Sequence, residues 1–406
     1  MNRITFVLAI VLFSIQIVIP RSVFAQSPIV LRDLSLIRDK AISDFDRNAI
    51  TLSDGSKLAW DRVLKAELSG EPESKTAPSR QPEFDRNLKQ VGLPLFRLKT
   101  RIKQGDWAGA GKIAGPMFDS VTAGKLDFPN PDIEYLVCLA TMKSRTGQGS
   151  AMQNRASAVL PFLRASWVES SVNPKTIEMV AAYSNAEKPN AEKRADGLSP
   201  ELLPVWFNVD QIQSSLKQIE QLPNLEANTT PDKANMVGKE IYLASMQIEL
   251  DQTDQANATL NRLNRNRSKL VDAWRIVLRA RMLQRSGNHV QAQSMLDKNS
   301  DSIIGDARPV AIYYRGLSEF EIHSRDGKIE TPLNSAVDTD LSNSSLMLLR
   351  LPALYGESHP ELAAAGLYHV AEIAKLRGHL DQSKKLSREL LQRYPRTYHG
   401  SLKPKH

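Results

Sequence analysis

The feature that most constrains the fold of this chain is a spacing of small residues that recurs along its second part. From residue 83 onward, apolar side chains follow the period of an α-helix. Within this region Ala244, Ala280 and Gly316 follow one another at intervals of 36 residues. Self-similarity at such a period indicates repeated supersecondary units that bury their apolar faces against one another. Residues 83–406 are therefore predicted to form an array of helix pairs.

The clearest repeat frame lies near the C-terminus. Ala371 and Ser383 supply a small residue in each of two helices, Gly378 stands in the turn between them, and Pro395 closes the unit. Small side chains at these positions allow the paired helices to approach closely. The frame resembles the tetratricopeptide repeat, and residues 389–395 resemble the end of such repeats in secreted and periplasmic proteins. The resemblance implies a mainly α fold class, an antiparallel helix-pair solenoid that binds peptides or protein surfaces.

The same frame recurs upstream, with turn glycines and small helix residues at matching positions. The predicted packing positions of the repeats are Gly105, Ala110, Ala244, Ala256, Ala280, Gly287, Ala292, Gly316, Ala371, Gly378, Ser383 and Pro395. Two irregular stretches interrupt the frame, from Glu187 to Pro200 and from Asp326 to Ser358. Loops inserted between regular elements often carry the binding function of a protein. These stretches are therefore candidate sites.

Residues 1–25 have the pattern of a signal peptide. The run Ile4–Ile19 carries no charge over 16 residues, and Arg3 precedes it. Val23 and Ala25 place small residues where a signal peptidase cleaves, so cleavage is predicted between Ala25 and Gln26. A retained anchor is the alternative, but the run is shorter than the roughly 20 residues that a membrane-spanning helix needs. The sequence predicts an exported protein, periplasmic or extracellular, without an integral membrane segment after cleavage.

A small antiparallel β unit and a linker are predicted between the signal peptide and the repeats. The unit is assigned to residues 26–68, in which apolar and polar side chains alternate with period two from Ile29 to Leu68. Asp54-Gly55 separates two of the short runs and indicates a hairpin, because glycine accepts positive φ. We expect three or four strands. Residues 69–82 contain three prolines and few apolar side chains, and this composition predicts a linker.

Composition and motifs narrow the function classes. With 41% hydrophobic and 24% charged residues, the chain has an ordinary globular composition, and its net charge of +8 does not imply nucleic-acid binding. The single cysteine, Cys138, excludes an intramolecular disulfide and is interpreted as a small buried hydrophobe. No glycine-rich phosphate loop, zinc-binding helix motif or serine-nucleophile motif occurs in the sequence. No metal, cofactor or catalytic residue is therefore predicted.

One basic cluster is a candidate partner surface. Eight cations fall between Arg262 and Arg285, and Arg275 and Arg279 lie one helical turn apart. The positive charge of this cluster is suited to bind an acidic protein or an extended peptide. A solvated helix face without a partner is the simpler interpretation. The leading hypothesis is an exported scaffold for protein or peptide binding, without enzymatic activity. The alternatives are an enzyme that acts on a cell-envelope polymer, with its site in the irregular stretches, and a structural subunit of an envelope complex.

Overall fold

The computed structural model describes residues 28–68, 79–124, 127–146, 152–183, 196–222, 230–265, 268–323 and 335–402. The predicted signal peptide lies outside the described residues, as does most of the predicted linker. The chain divides into two compact units, with the boundary between Phe96 and Arg97. The first is a small α/β unit, and the second is entirely helical in its regular elements.

Six short strands form two antiparallel sheets in the first unit. The strands are β1 (Ile29–Leu31), β2 (Leu36–Ile37), β3 (Ile42–Phe45), β4 (Ile50–Leu52), β5 (Lys57–Leu58) and β6 (Val63–Lys65). One sheet has the order β2-β1-β6 and the other the order β3-β4-β5. The β4–β5 hairpin turns at Gly55, whose φ is +81°. The antiparallel β unit is thus present, but it contains two three-stranded sheets rather than a single sheet of three or four strands.

Three aromatic rings form the centre of the first unit. Trp60 and Phe84 are almost fully buried, and their ring centroids lie 5.1 Å apart. Phe45 meets Phe84 edge to face at 5.4 Å. Phe84 belongs to helix α1 (Gln81–Asn87). The first two residues of this helix, 81 and 82, fall within the predicted linker. Because α1 contributes this ring to the core, the small β unit gains the packing partner that two short sheets need.

Helix α2 (Leu93–Lys103) crosses the boundary between the units, and all later helices belong to the second unit. These are α3 (Trp107–Thr122), α4 (Pro131–Thr146), α5 (Val159–Val168), α6 (Pro174–Tyr183), α7 (Ile212–Glu220), α8 (Thr230–Glu249), α9 (Thr253–Leu263), α10 (Lys269–Arg285), α11 (His289–Lys298), α12 (Ala307–His323), α13 (Ser335–Tyr355), α14 (Pro360–Leu376), α15 (Leu380–Arg393) and α16 (Tyr398–Ser401). A 3₁₀ segment, Met152–Ala158, precedes α5. The described part of the chain is therefore mostly helical, as predicted.

Helices α8 to α15 pack in consecutive pairs. Each of α8, α10, α12 and α14 contacts the helix that follows it. In addition, α8 contacts α10, α10 contacts α12, and α12 contacts α14. Four turns between helices share one backbone geometry, with φ of +68° at Gly105, +57° at Asp251, +77° at Gly287 and +78° at Gly378. In each turn the next N–H donates to a carbonyl oxygen five residues earlier, at 2.8–2.9 Å. This arrangement is compatible with a helical repeat.

The small residues of the repeat frame lie mostly inside the second unit. Ala110, Ala244, Ala256, Ala280 and Ala292 are fully buried, and Ala371 and Ser383 are buried as well. Gly316 packs so closely against α13 that an added Cβ would lie 2.7 Å from Leu348 Cγ. The turn glycines and Pro395 are exposed.

The irregular stretch predicted from Asp326 to Ser358 contains a long helix. Residues Ser335–Tyr355 form α13, although serine, threonine, asparagine and aspartate are frequent in its first half. Leu341, Leu348 and Leu351 are fully buried between α12 and α14. Their spacing of seven and three residues places them on one helix face. Burial of that face outweighs the weak local preference for helix, so this part of the prediction is wrong.

The segment 196–207 is fixed to α8 and α10 by buried hydrogen bonds. The Tyr242 hydroxyl donates to the Leu202 carbonyl at 2.7 Å, and Trp206 Nε1 donates to Ser245 Oγ at 2.9 Å. Gly197, with φ of +62°, meets the backbone of α8 so closely that an added Cβ would lie 1.9 Å from the Ala234 carbonyl oxygen. These contacts position the segment that carries one wall of the cavity described below.

Candidate functional site

A cavity of about 640 Å³ lies in the second unit. Its walls come from the start of α3, the end of α4, the segment 196–207 and the start of α14, together with Arg155. The size is within the range of small-molecule and peptide pockets. Apolar side chains, among them Trp107, Val205 and Phe207, share the lining with several charged ones. The cavity therefore combines an apolar wall with a few polar groups that could orient a ligand.

Arg155 supplies a mostly buried guanidinium to the cavity. One of its nitrogens, Nη2, donates to the Glu201 carbonyl oxygen at 2.8 Å. Its Nε is buried and has no hydrogen-bond partner among the described residues. Burial lowers the pKa of Arg155, and the nearby Glu361 carboxylate opposes that shift. Arginine nevertheless stays protonated in proteins, so the cavity holds a permanent positive charge.

Glu361 supplies a buried carboxyl group to the same cavity. The residue is 8% exposed. Its Oε2 accepts a hydrogen bond from the Tyr398 backbone N–H at 3.1 Å, whereas Oε1 is buried without a partner among the described residues. Burial raises the pKa of Glu361, and Arg155 and the Tyr398 N–H oppose the rise. A buried carboxylate oxygen without a partner is costly, so this group is suited to accept a hydrogen bond from a bound molecule.

A second pair of charges lies at the cavity and is already neutralised. Lys143 on α4 forms an ion pair with Glu201. The Lys143 ammonium also lies 5.7 Å from the centre of the Trp107 ring, within the range of a cation–π contact. Lys143 and Glu201 satisfy each other, whereas the Arg155 guanidinium and the Glu361 carboxyl each keep a buried atom without a partner among the described residues.

The N-terminus of α14 opens on the cavity. His359 is the N-cap residue, and its side chain accepts no hydrogen bond from the first turn. Pro360 follows as the first helical residue, where its missing N–H costs nothing. The backbone N–H groups of a helix start carry a partial positive charge that attracts anions. By contrast, α3 has a capped N-terminus, since Asp106 Oδ1 accepts from the Gly109 N–H at 2.8 Å.

An aromatic cluster lies directly behind the cavity wall. Its members are Phe207, Tyr313, Tyr368, His369, Tyr398 and His399. Phe207 also lines the cavity, and its ring centroid lies 4.7 Å from that of His399. His369 Nε2 is 3.2 Å from the Tyr313 hydroxyl oxygen. Burial lowers the pKa of His369 to about 4 and that of His399 to about 3, with Arg281 adding to the first shift and His369 to the second.

The predicted partner-binding arginines lie on α10, away from the cavity. Arg275 Nη2 lies 2.9 Å from Asp272 Oδ1, and Arg275 Nη1 donates to Asn264 Oδ1 at 2.6 Å. Arg279 Nη2 donates to Asn261 Oδ1 at 3.4 Å. Three further cations of the cluster, Arg262, Arg281 and Arg285, form ion pairs with Glu240, Glu249 and Asp251, whereas Arg267 lies outside the described residues. Much of the positive charge of the cluster is therefore compensated within the chain.

Sequence reasoning did not find the residues that give the cavity its charge. Among the predicted packing positions, Gly105 lines the cavity. The ends of both predicted irregular stretches also reach it, through Pro200 and Ser358. Arg155 and Glu361 carried no signal, because they are 206 positions apart and belong to no motif. The one sequence hint is that Glu361 immediately precedes the apolar run 362–367.

The described part of the chain lacks the features of several other kinds of site. There, no group of three or more histidine, cysteine, aspartate or glutamate side chains has the arrangement of a metal site. Cys138 is fully buried in α4, and burial raises the pKa of its thiol. None of the described helices combines the length and apolar character required to cross a membrane. Comparison with protein-family models, with curated proteins and with solved structures finds no match.

Proposed function

We propose that this chain is an exported, non-enzymatic binding protein whose tetratricopeptide-like helical array holds a peptide or a segment of a partner protein. The observation that carries the proposal is the cavity at the start of α14, where Arg155 and Glu361 each leave a buried polar atom without a partner in the described structure. A folded protein rarely retains such atoms without a reason, and ligand binding is one. The predicted signal peptide supports a periplasmic or extracellular location.

The cavity is a better candidate than the basic cluster on α10. Four of the eight cations of that cluster already form ion pairs within the chain, and the pair of Arg281 with Glu249 is largely buried. In the cavity, the charged groups lie beside buried apolar side chains such as Val205. A ligand there would be largely removed from water, so each hydrogen bond would contribute more to affinity and selectivity.

The arrangement also favours binding over catalysis. A glycoside hydrolase that acts on a cell-envelope polymer generally uses two carboxyl groups, one as acid and one as nucleophile or base. Glu201 is already held by Lys143, and Glu361 accepts a hydrogen bond from the Tyr398 backbone N–H. These contacts fix both carboxyl groups as parts of the cavity wall.

A structural role in an envelope complex has one supporting observation. On α13, Leu346 and Leu354 are 64% and 67% exposed, and a spacing of eight residues places them on the same helix face. Such a face is suited to contact another protein. The experiment on the cavity must therefore separate binding in the cavity from binding on α13.

Affinity capture from the native cell envelope, followed by mass spectrometry, tests the proposal. Ala108 is an exposed residue of α3 that lines the cavity, so Ala108→Trp should obstruct it without disturbing the core. Ala353 is a matched control, because it is an exposed helical alanine beside Leu354 on α13.

The proposal expects a partner that wild type and Ala353→Trp retain and that Ala108→Trp loses. Loss with Ala353→Trp alone would instead favour the structural role. A partner retained equally by all three chains would contradict the cavity as the binding site.

A further inference from the structure

Two buried groups of the cavity, Arg155 and Glu361, differ in how readily their protonation state changes. Arg155 remains positive at all relevant pH values, whereas burial favours the neutral form of Glu361. The uncapped start of α14 adds partial positive charge on the same side. Lys143 and Glu201 cancel each other. Two further carboxylates line the cavity, but Asp106 is paired with Arg101 and Glu357 is exposed to solvent. The preference for an anionic group is therefore local to Arg155 and the first turn of α14.

The anionic group must come with a hydrogen-bond donor close to it. Arg155 and Glu361 influence each other's pKa, yet the two described side chains form no direct ion pair. A group between them would receive hydrogen bonds from the guanidinium and would donate one to Glu361 Oε1. Sulfate lacks such a donor at neutral pH. Inorganic phosphate carries one as a P–O–H group, but it has no apolar part to contact the apolar wall of the cavity. The last residue of a peptide has both features, since its backbone N–H lies next to its carboxylate.

Resting on the proposed function, we infer that the cavity binds the free C-terminal end of a peptide or protein. The terminal carboxylate lies against Arg155 and the first turn of α14, and the last backbone N–H donates to Glu361. The last side chain packs on the apolar wall formed by Trp107, Val205 and Phe207. The bound chain therefore ends in an apolar residue with a free carboxylate.

Isothermal titration calorimetry on the full chain tests this inference with defined peptides. The probe is a pool of N-acetylated tripeptides, Ala-Ala followed by leucine, valine, phenylalanine or methionine, each with a free C-terminus. The comparison pool is identical but carries a C-terminal amide. Charge-assisted hydrogen bonds to a buried guanidinium are strong, so the free acid should bind about 10- to 100-fold more tightly.

Two substitutions assign this preference to the cavity. Arg155→Gln should reduce the ratio of acid to amide affinity to near one. Glu361→Gln keeps an oxygen that accepts from the last N–H and removes the negative charge, so it should bind the acid pool at least as tightly as wild type. Because Arg155 is mostly buried, circular dichroism must show that its variant is folded. If that variant does not fold, the comparison of the two pools on the wild-type chain decides alone.

Three outcomes would overturn the inference, and they separate it from the proposed function. Equal affinity for acid and amide pools would refute C-terminal recognition while leaving peptide binding intact. Tighter binding of an unblocked, amidated pool, lost in Glu361→Gln, would assign the cavity to an N-terminal ammonium group instead. Binding of neither pool would refute the inference, and the capture experiment with Ala108→Trp would then decide separately whether a partner occupies the cavity.

Discussion

The aromatic cluster should make the stability of this chain depend steeply on pH through two histidines. His399 is buried and His369 is half-buried beside it, with ring centroids 5.9 Å apart, and the positive charge of Arg281 acts on His369. Protonation of either ring would place a charge among apolar groups and near another cation. The pKa of His369 is accordingly lowered to about 4 and that of His399 to about 3.

The sign and size of the effect follow from these pKa values. A histidine in an unfolded chain titrates near about 6.5, so the unfolded state takes up protons first as the pH falls. The contribution of both histidines to stability is complete well above pH 6.5 and is lost as the pH falls toward 4 and 3. Between pH 8 and pH 5 each histidine should lower the free energy of unfolding by about 2 kcal/mol, and the pair by about 4 kcal/mol.

Urea unfolding followed by circular dichroism between pH 5 and pH 8 measures this effect. The variant is His369→Leu combined with His399→Leu. It loses the partner of the Tyr313 hydroxyl, which lowers stability by about 1 kcal/mol at every pH, but it also loses both titrating groups. Wild type and variant differ in how steeply the free energy of unfolding changes with pH, and this difference measures the contribution of the two histidines. The contribution of the carboxyl groups is the same in both chains and cancels. His379→Leu, at an exposed position, is the matched control. Equal slopes in wild type and the double variant would refute the reasoning.

Three further predictions follow from the fold and the sequence. Gly197→Ala should lower the free energy of unfolding by roughly 3 kcal/mol, because Gly197 has a positive φ and lies against the backbone of α8. Gly124→Ala is the control: Gly124 has a similar φ but open space around it, so the loss should be about 1 kcal/mol. Equal losses in urea unfolding would contradict the close approach of Gly197 to α8. Ala280→Leu should lower stability by about 1–3 kcal/mol through overpacking, and an unchanged melting temperature would mean that the repeat frame is misplaced. N-terminal sequencing of the exported protein should begin at Gln26, and recovery of an intact Met1 in the membrane fraction would favour the anchor.

Local rules predicted the helical part well because helices and their turns obey short-range constraints. Gly105, Gly287 and Gly378 mark turns with positive φ, which glycine adopts at little cost. Asp251 occupies the equivalent turn between α8 and α9 and gave no such signal. Aspartate tolerates the left-handed region better than most residues, so the backbone geometry persists where the glycine pattern fails.

Predictions failed where packing between distant segments decides the structure. The polar first half of α13 favours a loop locally, but burial of Leu341 and Leu348 makes it helical. In the first unit, the alternation of apolar and polar residues indicated strands without indicating that they divide into two sheets. Phe84 joins that core from beyond the predicted linker, a contact that no local pattern records.

The cavity was unpredictable for the same reason, because the residues that give it charge come from distant parts of the chain. Arg155 and Glu361 are buried ionisable groups that do not pair directly, an arrangement that costs free energy relative to apolar side chains of similar size. Other described residues also bury a polar atom without a hydrogen-bond partner, but Arg155 and Glu361 are the two of them that line the cavity. One bound group in the cavity would satisfy both, and this offsets the cost of the arrangement. A free peptide carboxylate with its adjacent N–H would supply the acceptor that Arg155 lacks and the donor that Glu361 lacks.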